Sequence, residues 1–284
     1  MAELNLIINK EATETSATTS LSHPLRFLAQ KNAHPRDSKI SFEEEGHKYT
    51  IQGMNEAPTS VTTLIHHNFP PFNADVAIDK MMKSRNWPSS IYFGKTREEI
   101  KEGWDNTKKE ASQLGTLMHA DIERFLNNEK VLNPNSKEFS HFKLFWSEFQ
   151  KVNPGFVPYR TEWLVYDEEN KIAGSIDFVL MDAHGRIIIV DWKRSKAIKM
   201  SNEYEKGLNC FSHLDNCNFW HYSLQLNIYR HILETKYKMH VVGMYIVVLH
   251  PENPYYLTHL IPRYDIASIW GSLTHQTYRA PASC

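Results

Sequence analysis

An acid-and-lysine cluster at the end of a predicted strand offers the clearest chemistry in this sequence. Residues 187–190 are all branched apolar residues, and Asp191 and Lys193 follow directly. Side chains two apart on a strand point to the same face, so a carboxylate and an ammonium would emerge side by side. Asp177 lies on the strand predicted before this one. Two carboxylates from adjacent strands can hold Mg²⁺, which activates water for phosphodiester hydrolysis.

A structural explanation competes with this chemistry. Asp177 and Asp191 could instead form ion pairs at the strand ends, with Lys193 as their partner. An Asp-x-Lys triplet also occurs by chance, and it does not establish a function without its site. From these residues alone, both explanations stay open.

The cluster is positioned by a predicted β-hairpin. Its arms run over residues 172–181 and 186–192, and Gly185 supplies the positive φ that such a turn often needs. The unbroken apolar run at 187–190 shows no polar alternation. It therefore predicts a central strand that is covered on both faces.

The remaining elements follow from periodicity and capping signals. Thr96 and Glu99 form a capping-box pattern at the start of a long helix, in which Gly103 or Gly115 could introduce a break. Residues 200–218 are polar and predict a surface loop beside the active site. The predicted elements are a hairpin over 40–51, helices over 60–67, 73–83, 96–126, 136–152, 219–236 and 264–277, and further strands over 157–166, 241–249 and 255–260. This order predicts an α/β fold with a mixed β-sheet core flanked by helices.

Four motifs in this order resemble those of a nuclease family. Asp177, a short hairpin and the Asp-Trp-Lys of residues 191–193 resemble the P-D…(D/E)-x-K signature, with Ile176 in the proline position. Residues 115–119 resemble an upstream G-x-x-x-H motif, and residues 225–229 a downstream Q-x-x-x-Y motif. The chain thus resembles the RecB-like and lambda-exonuclease-like branch of the PD-(D/E)XK superfamily, as in single-domain viral and phage forms. The resemblance implies a restriction-endonuclease-like fold.

The resemblance implies a metal-dependent reaction centre and assigns its residues. Asp177, Asp191 and Lys193 are the expected reaction centre, and Gln225 and Tyr229 support it. Lys193 would hold or deprotonate the attacking water and stabilise transition-state charge, and the sequence does not separate these roles. The expected metal ligands are His119, Asp177, Asp191, the backbone carbonyl of Trp192 and Glu162. Glu162 could equally be a surface strand residue. Gly115, Arg194 and Lys196 are expected to contact DNA.

The expected cofactor is Mg²⁺ or Mn²⁺, bound as two ions. An imidazole ligand such as His119 suits Mn²⁺ well. Some similar nucleases hold an iron–sulfur cluster with four cysteines, and this chain has three, Cys210, Cys217 and Cys284. We therefore predict no iron–sulfur cluster.

Composition restricts the class of protein but not its partner. Hydrophobic residues make up 41% of the chain, which is typical of a globular enzyme. The 32 basic and 33 acidic residues nearly cancel, yet Lys193, Arg194, Lys196 and Lys199 cluster where phosphates could bind. No apolar run approaches the roughly 20 residues of a membrane span, and no signal sequence is evident. We expect an intracellular protein, cytoplasmic or nuclear, that is neither secreted nor bound to a membrane.

These features predict three regions and a function. Residues 1–38 are predicted to form a flexible arm, 39–109 a helical and hairpin region that forms part of a DNA channel, and 110–284 the nuclease core. The expected function is an exonuclease acting on single-stranded DNA or duplex ends in replication, repair or recombination. Any helicase or recombination partner stays unknown. The alternatives are a nucleic-acid-binding module without turnover, and a structure-specific endonuclease or RNase.

Overall fold

A mixed β-sheet with helices packed on both faces forms the centre of the protein. The computed structural model describes residues 26–275. The strands are β1 (Ile40–Glu43), β2 (Lys48–Ile51), β3 (Thr59–Ser60), β4 (Val157–Asp167), β5 (Ile172–Met181), β6 (Arg186–Lys193), β7 (His240–Val248) and β8 (Leu257–Leu260). The helices are α1 (Phe27–Lys31), α2 (Val61–His66), α3 (Ala74–Met82), α4 (Arg97–Leu126), α5 (Lys137–Val152), α6 (Asn218–Lys236) and α7 (Trp270–His275). The predicted α/β class and mixed sheet are confirmed.

The sheet places β6 at its centre. Within the described residues, pairing links β3, β5, β6, β7 and β8 in that order. β4 also pairs with β5, along most of its length. β6 is antiparallel to β5 and parallel to β7. Parallel strands need a crossover connection, and α6 provides it between β6 and β7. β1 and β2 form a separate antiparallel hairpin.

Two hydrophobic cores lie on the two faces of the sheet. One packs α2, α6 and the β1–β2 hairpin against residues that include Ile187 and Ile189. The other packs α5 and the second half of α4 against residues that include Ile188, Val190 and Trp192. Alternate residues of β6 therefore enter opposite cores, as the unbroken apolar run predicts.

α4 runs unbroken for 30 residues through both Gly103 and Gly115, so neither interrupts it. Its N-terminus has the predicted capping box: Thr96 Oγ1 accepts from Glu99 N, and Glu99 Oε2 accepts from Thr96 N. The same helix passes through the predicted region boundary at residue 109. That division of the chain stays a prediction.

Residues 26–38 were expected to belong to a flexible arm, but they pack against β4. Asp37 accepts hydrogen bonds from Arg160 Nη1 at 2.6 Å and from Trp163 Nε1 at 2.9 Å. Asn32 Nδ2 donates to the backbone carbonyl of Tyr159 at 2.8 Å. These polar contacts fix the segment although its sequence has few apolar residues. The arm before residue 26 lies outside the described residues, as does Cys284.

Two further predictions differ from the structure. The last helix was predicted over 264–277 but begins at Trp270, and its predicted end lies outside the described residues. Asn227 instead holds the preceding segment, accepting from Tyr264 N at 2.8 Å. Residues 200–218 do not form a purely surface loop, because Phe211 and Leu214 are buried in the core. Among residues 26–275, no helix combines the length and the apolar character needed to cross a membrane.

Candidate active site

The sheet opens at Asp177 and Asp191. Pairing between β5 and β6 stops at Phe178 and Val190, and the two aspartates come next on their strands. Asp177 Oδ2 accepts a hydrogen bond from Trp192 N at 2.8 Å, where a strand ladder would otherwise continue. The predicted carboxylates therefore lie together, at the point where the strands diverge.

Glu162 joins the same row through an unusual backbone conformation. It lies opposite Asp177, between the pairs Thr161–Phe178 and Trp163–Ile176. Its φ is 42°, a left-handed value that is uncommon for a residue with a side chain. Such conformations cost free energy and concentrate at functional sites. Glu162 on β4, Asp177 on β5 and Asp191 on β6 therefore form a row of three acids, which we call the acid row.

His119 enters the row from α4. Its neighbours Met118 and Ile122 are buried in the core, and they fix the direction of the helix face. His119 Nε2 lies 3.1 Å from the Trp192 carbonyl oxygen. A carbonyl can only accept, so Nε2 carries a proton and donates. The other ring nitrogen, Nδ1, faces Glu162 Oε1 at 3.5 Å and Asp177 Oδ2 at 3.7 Å.

His119 Nδ1, Glu162 Oε1 and Asp177 Oδ2 therefore face one another, and positive charge between them would stabilise the group. The ligand atoms of His119, Glu162 and Asp177 all lie within 4.8 Å of one another. Burial alone would lower the pKa of His119, but the Asp177 and Glu162 carboxylates outweigh it and raise this pKa to about 9. A proton on Nδ1 supplies the positive charge in the metal-free protein. A divalent metal ion could supply it instead.

Lys193 and Asp191 form a buried ion pair beside this group. Lys193 Nζ lies 2.7 Å from Asp191 Oδ2, and the Asp191 side chain is 2% exposed. Despite burial, Asp191 and Asp177 raise the pKa of Lys193 above its ordinary value, so the amine is charged. Burial, with the added repulsion of Asp191, raises the pKa of Asp177 to about 7. In the metal-free site, the Asp177 carboxyl can therefore lose a proton near neutral pH.

Two tyrosines complete the surroundings of the site, and sequence reasoning missed both roles. The Tyr222 ring lies on α6 with its centroid 4.6 Å from Lys193 Nζ, a cation–π distance. Tyr49, on β2, is buried, and burial with the nearby Glu162 and Asp177 raises the pKa of its hydroxyl to about 12. Tyr222 could have been noticed because it is one helical turn before Gln225. Nothing in the sequence connects Tyr49 with residues more than a hundred positions later.

Gln225 and Tyr229 lie on one face of α6, as predicted. Gln225 Nε2 donates to Tyr229 Oη at 3.4 Å. Tyr229 is buried and lies against the backbone of Gly174, on the strand that carries Asp177. Tyr229 therefore contacts β5 directly, and its expected role in supporting the reaction stays a prediction.

Gly174→Ala is expected to destabilise the protein. A Cβ at Gly174 would lie 2.7 Å from Tyr229 Cε1, inside a packed core, and such overpacking costs about 1–3 kcal/mol. A matched variant is Gly115→Ala, where a Cβ meets nothing within 4 Å and helix propensity improves by about 0.5–1 kcal/mol. Urea unfolding should show a lower midpoint for the first variant and an unchanged or higher one for the second. Equal midpoints would contradict the packing.

The three residues expected to bind DNA lie in different environments. Arg194 Nε pairs with Glu138 Oε1 at 2.8 Å, and both side chains are 13% exposed, so this pair ties β6 to α5. Lys196 pairs with Glu252 at 2.6 Å on the open surface. Gly115 lies within α4 and no protein contact requires a glycine there. Contact of these residues with DNA stays a prediction.

Comparison with known proteins bears on the same residues. Residues 135–260 match the model of the PD-(D/E)XK nuclease superfamily. The matched segment covers less than half of the chain and contains Glu162, Asp177, Asp191 and Lys193, whereas His119 precedes it. The mixed sheet flanked by helices agrees with the restriction-endonuclease-like fold of this superfamily, as predicted. The RecB-like branch stays a prediction.

Solved structures give weaker likenesses. The protein SSO0001 is 16% identical to the chain with a TM-score of 0.34, and the match covers 81% of each chain. A protein from Eubacterium rectale, described as a candidate exonuclease, is 13% identical with a TM-score of 0.34. That match covers 57% of this chain and 64% of the other. No curated protein sequence matches the chain.

Proposed function

We propose that this protein is a metal-dependent deoxyribonuclease that acts as an exonuclease on linear DNA. One observation carries the proposal: His119, Glu162 and Asp177 converge within 4.8 Å beside the Asp191–Lys193 pair. The match of residues 135–260 to a nuclease superfamily supports the same activity.

The donor set fits Mg²⁺ or Mn²⁺. Both ions prefer carboxylate and carbonyl oxygens, and imidazole is a borderline ligand that Mn²⁺ accepts more readily than Mg²⁺. Asp177, Glu162 and His119 Nδ1 are the groups that would hold the ion, and Asp191 borders them. The Trp192 carbonyl faces the other ring nitrogen of His119, so its role as a ligand stays a prediction. When bound, the ion would lower the pKa of a water and neutralise charge on the phosphate.

The protein's own groups would position the water and the phosphate. Asp191 and the Tyr222 ring hold the Lys193 ammonium at the edge of the acid row. A fixed ammonium there can donate a hydrogen bond to the attacking water or to a phosphoryl oxygen as negative charge develops. Asp177 Oδ2 accepts from Trp192 N and His119 Nε2 donates to the Trp192 carbonyl, so the peptide groups on both sides of Trp192 are fixed in the site.

Metal binding is expected to release protons. His119 Nδ1 and the Asp177 carboxyl hold protons with pKa values of about 9 and about 7, and a metal ion must displace them. The apparent affinity for Mn²⁺ should therefore fall as the pH decreases from about 9 to 6. Titration calorimetry in two buffers of different ionisation enthalpy counts the released protons. The same affinity at pH 6 and pH 9 would contradict this arrangement.

Cleavage of end-labelled DNA tests the proposed activity. Linear single-stranded, linear duplex and closed circular DNA, and a linear RNA, would be incubated with Mg²⁺, Mn²⁺ or EDTA. The proposal predicts metal-dependent loss of the linear substrates but not of the circle, and the labelled end gives the polarity. The Asp191→Ala/Lys193→Ala variant should be inactive and serves as the control for contaminating nuclease.

Each other outcome changes the proposal in a defined way. Cutting of the circle would make the protein an endonuclease. Cleavage of RNA in preference to DNA would make it a ribonuclease. Tight binding without cleavage of any substrate would favour a nucleic-acid-binding module that has the nuclease fold but no turnover.

A further inference from the structure

A groove of about 600 Å³ is lined by none of the residues of the reaction centre. Its walls are formed by the segment after α2, by α4 and by the residues between β6 and α6. The side chains that matter here are Phe69, Phe72, Lys108, Asn216 and His221. We call it the α4–α6 groove.

The floor of the groove is held in place by contacts within the protein. The Phe69 ring stacks on Phe211 at 5.9 Å and contacts the His221 ring at 4.3 Å. Asn216 Nδ2 donates to the Pro70 carbonyl at 3.0 Å, which joins two walls of the groove. Its shape is therefore already formed without a ligand.

Exposed aromatic rings border the groove. Phe72 is 76% exposed, with its centroid 5.7 Å from that of Trp104 on α4. Trp104 is itself fixed, because its Nε1 donates to Tyr92 Oη at 2.9 Å. Tyr204 precedes the groove residue Glu205 in the chain. Its side chain is 85% exposed, and Lys80 Nζ lies 5.9 Å from its ring centroid. A supported ring with an open face provides a surface on which a planar base can stack.

Two helices connect the groove to the reaction centre. α4 carries Lys108 in the groove and His119 in the site, eleven residues or roughly 16 Å apart along the helix axis. α6 carries His221 in the groove and, as the next residue, Tyr222 beside Lys193. The groove and the reaction centre therefore share two helices, and the shortest link along the chain between them is the step from His221 to Tyr222.

The chemistry of the groove suits an unpaired strand. Lys108 supplies positive charge for a phosphate, and Phe72 supplies a surface on which a base can stack. Asn216 and His221 bond each other at 2.9 Å and so shape the wall of the groove. Glu205 also lines the groove, and its carboxylate is engaged by Asn216 Nδ2 at 3.1 Å. Bases inside a duplex have both faces covered by their neighbours, so away from the duplex ends only an unpaired base can stack on Phe72.

We propose that the α4–α6 groove binds an unpaired stretch of DNA and leads it to the acid row. This inference rests on the proposed nuclease function for its direction, although the binding itself can be measured without turnover. The reaction class that fits is removal of nucleotides from single-stranded DNA or from a frayed end.

Fluorescence anisotropy in EDTA tests the groove, because no cleavage can occur without metal. The probes are a labelled thymidine 20-mer and a labelled blunt-ended duplex formed by two complementary strands. The wild type should bind the single strand more tightly than the duplex. Phe72→Leu should weaken single-strand binding about tenfold, the usual loss of one stacked base, whereas Phe72→Trp should retain it. Lys108→Ala should weaken binding and reduce its salt dependence.

The matched control is Val152→Ala, at a residue that is 80% exposed at the end of α5. Unchanged single-strand binding in Phe72→Leu, equal loss in Val152→Ala, or equal wild-type binding of strand and duplex would overturn the proposal. The two proposals can fail independently. If the wild type loses binding on Phe72→Leu but never cleaves DNA, only the proposed activity is refuted. If the wild type cleaves DNA but Phe72→Leu leaves single-strand binding unchanged, only the groove is refuted.

Discussion

Asp177→Asn is expected to reduce DNA cleavage about a thousandfold or more while leaving the protein folded. Removing one ligand charge removes several kcal/mol of metal-assisted stabilisation, and each 1.4 kcal/mol is about a factor of ten. The amide oxygen of asparagine can still accept the hydrogen bond from Trp192 N, so the opening of the sheet keeps its shape. Initial cleavage rates under saturating Mg²⁺ measure the loss.

Stability distinguishes this effect from misfolding. The pKa of Asp177 in the folded protein, about 7, lies above that of an unfolded aspartate. The folded state therefore binds more protons between about pH 4 and 7, and stability falls as the pH rises through that range. At pH 8 in EDTA, Asp177→Asn should unfold at the same or a higher temperature than the wild type. Asp105→Asn, at an exposed position on α4, is the control and should keep full activity.

Lys193→Met is expected to abolish cleavage and to destabilise the protein as well. Removing the ammonium leaves the Asp191 carboxylate, which is 2% exposed, buried without its partner. Breaking a buried pair in this way costs about 3–5 kcal/mol. Chemical denaturation at pH 8 without metal measures the loss.

A second substitution separates the two effects of Lys193. The variant Asp191→Asn/Lys193→Met removes both charges, so most of the lost stability should return while cleavage stays absent. Lys196→Met breaks an exposed pair with Glu252 and should change the unfolding free energy by less than about 1 kcal/mol. If the double variant were as unstable as Lys193→Met, the ion pair would not explain the loss.

Local patterns were sufficient to predict the central hairpin. The apolar run at 187–190 and the turn at Gly185 determine β6, and the two-residue spacing of Asp191 and Lys193 follows from strand geometry. The structure places both beside Asp177, as predicted. These features depend on neighbours in the chain, and a sequence pattern records such neighbours well.

The rest of the site depends on contacts between distant segments. Glu162 reaches the acid row through a positive φ, and a glutamate in a strand gives no sign of such a conformation. Tyr49 and Tyr222 come from elements far apart in the chain. Asp37 fixes a segment that composition alone suggested was flexible, because its partners Arg160 and Trp163 lie more than a hundred residues away.

Anomalous scattering from crystals grown with Mn²⁺ would test the central claim most directly, which is that the acid row is a metal site. The structure predicts a peak bounded by His119 Nδ1, Glu162 Oε1 and Asp177 Oδ2, at about 2.0–2.4 Å from the carboxylate oxygens. The same peak should be absent in Asp177→Asn. A fully occupied wild-type peak elsewhere, with none between these three side chains, would contradict the proposed reaction centre.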